Sequence, residues 1–182
     1  MFKDPTYDAF MLDHASRSLS PGLNVLADAH LALNEAGRDR SDIWAAIGGV
    51  LLENVDGSPH ASRFQRQAMP YRTDETSASI LDANLDDLPW KTGFSGVEYA
   101  RGRTPHTKFM RLDAGKSAPK HRHSALEATL VLKGTLSDGE HTYEVGEIAF
   151  GVPGEVHKPM AVGNETCVCF VAQDRKPFWR LS

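Results

Sequence analysis

The chain has 182 residues, 41% of them apolar and 24% charged, with a formal net charge of −4. This is the composition of an ordinary folded protein of one domain or two small ones, and it excludes fibrous and disordered chains. No run reaches the roughly 18 apolar residues of a membrane helix, and the opening MFKDPTYDAF lacks the apolar stretch of a secretion signal; a cytoplasmic protein is expected.

In chain order, Asp4-Pro5 reads as an N-cap followed by a first-turn proline. Tyr7, Phe10, Met11 and His14 then recur at helical spacing. Ser20-Pro21 opens a second helix with the stripe Leu23, Leu26, Ala27, His30 and Leu31, and Gly37 fits as its closing residue. Ser41 begins a third helix, with Ile43, Ile47, Val50 and Leu51 on one side. Three amphipathic helices with short connections predict a small bundle, since none could bury enough surface alone. Charge sets this part of the chain off. Residues 1–57 carry 9 acidic against 4 basic side chains, whereas residues 89–182 carry 10 against 13. An acidic segment does not seek a phosphate backbone, so direct nucleic-acid binding is not expected, but it suits a basic protein partner.

Gly57-Ser58-Pro59 and Met69-Pro70-Tyr71 are breakers in a polar stretch without periodicity. Ile80, Leu81, Leu85 and Leu88 suggest a short helix before Pro89-Trp90. The expected division is a helical domain over 1–57, a linker over 58–88 and a second domain over 89–182. In that second domain, strands are expected at 96–101, 107–112, 127–132, 141–145, 147–150 and 166–172, separated by turns containing Gly, Pro or Asp. Short strands at this spacing predict a double-sheet barrel, giving an α+β protein overall. Cys167 and Cys169 lie in TCVCFVA, which reads as a buried strand; their spacing is not that of a redox C-x-x-C, and they are expected to be core cysteines.

The chemistry is concentrated between Gly115 and Gly134, GKSAPKHRHSALEATLVLKG. His121, His123 and Glu127 share parity, so on a strand their side chains leave by one face, while Leu126, Ala128, Leu130 and Leu132 take the other. Imidazole and carboxylate together suit a divalent ion: zinc first, with iron, manganese or nickel as alternatives. His157, after the turn in GEIAFGVPGEVH, supplies a fourth ligand. The remaining histidines, His14, His60, His106 and His141, are expected to be surface or packing residues.

The spacing Gly115, five residues, His121, one, His123, three, Glu127, six, Gly134 resembles the first cupin motif. Gly146 to His157 resembles the second, with Val152 in the usual place of a proline and Ala161 where an asparagine is common. The resemblance implies a cupin (jelly-roll) barrel over about 89–182 holding one metal ion on His121, His123, Glu127 and His157. The helical run DHASRSLSPGLNVLADAHLALNEAGRDRSDIWAAIGGVLLE and the closing KPFWRL further resemble the ChrR-type anti-sigma factors, which join a zinc-binding helical domain to a cupin domain. In that family the helical domain carries a histidine, three residues, a cysteine, two residues and a second cysteine, with another histidine nearer the N-terminus. Here His30 stands at the histidine, Asn34 and Gly37 stand at the cysteine places, and the region of Pro5 and Thr6 offers no histidine. A structural zinc wants four ligands, so no zinc is expected in the helical domain and His30 is expected to be a packing residue. The resemblance implies a regulator whose helices bind an RNA polymerase sigma factor and whose cupin metal senses a signal, with a homodimer possible through sheet edges. The same four ligands also serve cupin dioxygenases and isomerases, so an enzyme acting on a small molecule is the alternative, with a ligand-binding module as a third reading.

Overall fold

The computed structural model describes residues 5–39, 41 and 76–174. Three expectations lie outside the described residues: the helix after Ser41, most of the connection between residues 58 and 75, and the closing KPFWRL.

Helix α1 runs Pro5–Ala15 and α2 runs Pro21–Leu33, each with a proline in its first turn. That proline has no N–H to leave unpaired and its fixed φ is already helical. The end of α2 differs from the expectation. Asn34 is the C-cap, with an extended backbone, and Gly37 sits in a further helical stretch at residues 35–39. Helix α3, Ser77–Leu81, starts with a capping box between Thr76 and Ser79 and buries Ile80; Leu85 and Leu88 follow it outside the helix, half-buried.

The strands are β1 (Lys91–Thr92), β2 (Glu98–Arg101), β3 (Thr107–Leu112), β4 (His121–Arg122), β5 (Glu127–Lys133), β6 (Thr135–Ser137), β7 (Thr142–Tyr143), β8 (Ile148–Gly151), β9 (Val156–His157), β10 (Met160–Val162) and β11 (Cys167–Gln173). They form a six-stranded sheet in the order β1-β2-β3-β11-β5-β8, a three-stranded sheet β10-β6-β7 and a two-stranded pair β4-β9. All pairings are antiparallel. Period-two alternation divides the large sheet's side chains between two cores. Met110, Leu112, Val131 and Val171 meet Leu136 and Ala161 of the smaller sheet, and Cys167 and Cys169 lie in this same fully buried layer. Phe109, Ala128, Leu130 and Phe170 leave by the opposite face and meet Phe10, Met11, Leu23 and Leu26 of the helices.

The alternate row read from the sequence, Leu126, Ala128, Leu130 and Leu132, therefore packs against helices and not between the sheets. A sheet that is apolar on both faces needs a layer on each, and the amphipathic stripes supply the second. Phe10 stacks edge-on against Phe150 at 5.2 Å and Phe109 against Phe170 at 5.1 Å. Gly22 brings the start of α2 onto the sheet, where a Cβ would stand 2.6 Å from Thr107 Cγ2.

A polar cluster closes this junction. His30 is 2% exposed, in keeping with the packing role expected for it. Its Nδ1 donates to the carbonyl oxygen of Gly146 at 2.6 Å, and its Nε2 accepts from the Tyr7 hydroxyl at 2.8 Å. Asn34 shares the Gly146 carbonyl, its Nδ2 donating to that oxygen at 3.4 Å, and its Oδ1 accepts from Gly37 N–H at 2.9 Å. A Cβ on Gly37 would overlap the His30 ring. Gly146 turns the chain into β8 with φ of 86°, a conformation that favours glycine, and this turn presents its carbonyl to the helices.

Burial holds the His30 imidazole below its ordinary value of 6.5, although the bond to Gly146 O pulls the other way. The folded protein thus takes up this proton at lower pH than the unfolded chain does. The stability His30 contributes is present above about pH 6.5 and is lost as pH falls through that value toward the folded-state pKa. The melting temperature is expected to fall on acidification below about pH 6.5 less steeply in a His30→Gln variant than in the parent, as thermal melts of both across that range will show.

Candidate metal centre

Strands β4 and β9 are two residues each, and their register sets His121 opposite His157. The pairing runs on past the strands. His123 N–H donates to Glu155 O at 3.1 Å, and Gly154 N–H donates to His123 O at 2.9 Å, so the backbone that carries His123 is fixed to the turn before His157. Glu127 opens β5, paired across to Gly151 of β8 and Gln173 of β11.

These elements bring together all four residues expected from the sequence. The ligand atoms of His121, His123, Glu127 and His157 lie within 4.8 Å of one another, the one such group among the described residues. His123 and His157 Nε2 are 2.7 Å apart, and His157 and His121 Nε2 are 3.3 Å apart. Two nitrogens at about 2.1 Å from one ion would stand roughly 3.0–3.4 Å apart, so the spacing is close to that of a shared ion. His121 Nδ1 donates to Pro119 O at 2.9 Å, which leaves its Nε2 lone pair facing the cluster. Desolvation, reinforced by its neighbouring imidazoles, holds His157 below the ordinary histidine value, and desolvation does the same for His123 against the pull of Glu127. Neutral imidazoles are the form that ligates. The donor set fits a divalent ion of the zinc, iron, manganese or nickel kind, which would act as Lewis acid or redox centre when bound.

Three further residues shape the site, and the motif spacing does not reveal them. Gln173 Nε2 donates to Glu127 Oε2 at 2.6 Å. Lys108 Nζ lies 4.0 Å from the same oxygen. Gly151 leaves space for the His123 ring, which a Cβ there would overlap. Only strand pairing connects Gln173 and Lys108 to Glu127, and pairing is not written in a local motif. Gly151→Ala is expected to lower metal affinity roughly 10–100-fold by displacing His123 while the fold is kept, as competition with a chromophoric chelator will measure.

With the centre defined, comparison with known proteins places the chain. The family model of the ChrR Cupin-like domain matches residues 81–177. The chain belongs to the ChrR cupin-like family. The anti-sigma-E factor ChrR of Cereibacter sphaeroides is 28% identical over 92% of this chain and 87% of its own length. The crystal structure of Rhodobacter sphaeroides SigE in complex with the anti-sigma ChrR superposes with a TM-score of 0.73 at 28% identity, covering 92% of this chain and 96% of that one. An RmlC-like cupin from Shewanella frigidimarina superposes over 52% of this chain and 91% of its own with a TM-score of 0.42 at 15% identity. The ChrR-like likeness spans the helices as well as the sheets. In the helical part of this chain, Tyr7, His30, Asn34 and Gly37 are joined to one another and to Gly146 by hydrogen bonds.

Proposed function

We propose that the chain is a cytoplasmic anti-sigma-factor-like regulator of transcription. Its N-terminal helices bind an RNA polymerase sigma factor, and its cupin domain binds one divalent ion, zinc in the first instance, on His121, His123, Glu127 and His157. The state of that site alters the grip on the sigma factor. The observation that carries this reading is the likeness to ChrR in its complex with SigE, which covers 92% of this chain and so takes in the helices and the cupin part in the same order. The acidic excess of residues 1–57 suits a basic protein surface. The reading includes the division into 1–57, 58–88 and 89–182.

Sensing requires that the metal site and the helices bias one equilibrium. The large sheet offers the physical route, because β5 carries Glu127 toward the metal cluster and Ala128 and Leu130 toward the helices. The test is a pull-down of the tagged full chain from its native host, with mass spectrometric identification of stoichiometric partners. A sigma factor is expected with the parent protein. Replacement of all four ligands by alanine is expected to change sigma retention. A metal-loaded preparation with no stoichiometric sigma factor would overturn the regulator, and unaltered retention by the alanine variant would overturn the sensing step.

A further inference from the structure

Three residues of the candidate metal cluster, His121, Glu127 and His157, line a cavity of about 230 Å³ between the two sheets. This is just under the roughly 300 Å³ at which pockets for drug-sized molecules begin, so it suits a small molecule. Its walls carry both kinds of side chain: Met110, Leu136, Ala149 and Val171 are apolar, whereas His121, His157, Glu127 and Lys108 are polar, with Lys108 directly across from Val171 in the strand register.

Lys108 is the group that metal binding leaves unexplained. Its Nζ stands 4.0 Å from Glu127 Oε2 and 5.4 Å from the centre of the Tyr99 ring. A cation beside a ligand carboxylate opposes a metal ion there, because both compete for one negative charge. With neutral imidazoles, a divalent ion and Lys108 together outweigh Glu127 by about two positive charges in a partly desolvated site. Asp138 also lines the cavity, its carboxylate accepting from the Tyr143 hydroxyl and from the Glu140 and His141 N–H groups, and its negative charge brings the excess to about one. Four protein donors leave a further position open to an outside ligand on an ion that takes five or six, and zinc can expand to five.

We infer that the cavity binds a small aliphatic monocarboxylate, its carboxylate held between the metal and Lys108 and its hydrocarbon chain against Met110, Leu136 and Val171. The anion offsets the excess positive charge, and the chain is buried among the apolar walls. This deepens the regulatory reading by naming the chemical class the site responds to, and it rests on the cupin domain holding an ion.

The test uses the full chain loaded with zinc and titrated calorimetrically with butanoate, acetate and butan-1-ol, with zinc content measured in each sample. Butanoate is expected to bind at least tenfold tighter than butan-1-ol, which lacks the charge, and tighter than acetate, which lacks the chain. Lys108→Met is expected to weaken butanoate tenfold or more with zinc content undiminished; this side chain is 41% exposed, so its replacement leaves the core intact. Methyl signals of ¹³C-labelled butanoate that shift on binding to the parent and not to the variant give a second readout. Butanoate binding no tighter than butan-1-ol, or equally tight in Lys108→Met, overturns the inference while the metal reading stands. A parent protein that retains no zinc overturns both.

Discussion

Replacing His123 and His157 together by alanine is expected to take the chain from one divalent ion per molecule to essentially none. The two rings face each other through Nε2 atoms 2.7 Å apart, and no other described imidazole than His121 belongs to the cluster. Loss of an outer-shell partner alone typically costs about 10–100-fold in metal affinity, and each direct ligand costs at least as much, so the double variant should lose roughly 10⁴-fold or more. The fold should survive, because the large sheet and both apolar cores are built from other residues. Elemental analysis of purified protein, with circular dichroism as the fold control, reads both quantities. One ion per chain in the double variant would dismiss the site.

Leu26→Ala is expected to destabilise the whole molecule by about 2–5 kcal/mol. Leu26 is fully buried in the layer where α1 and α2 meet the large sheet. A loss of that size is a large part of the roughly 5–15 kcal/mol that holds a typical domain folded. Leu12, on the exposed side of α1, should cost within about 0.5 kcal/mol on the same change. Because helices and sheet share one core, helical circular dichroism and tryptophan fluorescence should report a single transition in urea, shifted in Leu26→Ala. Helical signal lost at unchanged denaturant concentration, with only the sheet affected, would show that the two layers are not energetically joined.

The long strands and the candidate metal ligands were legible for different reasons. Strands β3, β5 and β11 have six or seven residues each, long enough for apolar alternation to stand out. Strands β4 and β9 have two residues each and carry no period, so only the position of their histidines within a motif pointed to them. Shared parity of His121, His123 and Glu127 led to the right grouping by an incomplete argument. Residues 123–126 lie outside any strand, and it is the pairing of β4 with β9 that brings the rings together. Gly37 read as a helix terminus because glycine so often is one; its small size here makes room for the His30 ring, 7 positions earlier in the chain. The partners Gln173 for Glu127, 46 residues apart, and Gly146 for His30, 116 apart, belong to the tertiary fold and have no local signature.

The junction of Tyr7, His30, Asn34 and Gly146 is made of neutral donors and acceptors. The chain's two sulfur nucleophiles, Cys167 and Cys169, lie sealed between the sheets, where the adjacent Cys167 sulfur and burial push the Cys169 thiol well above its ordinary value. Among the described residues, the possible metal-binding cluster and both thiols lie in the sheets, and the helices contribute a hydrogen-bonded junction. On the proposed reading, a reagent that strips an ion from His121, His123, Glu127 and His157 acts at that cluster, and a change it causes in α1 or α2 is relayed through the large sheet that packs against both.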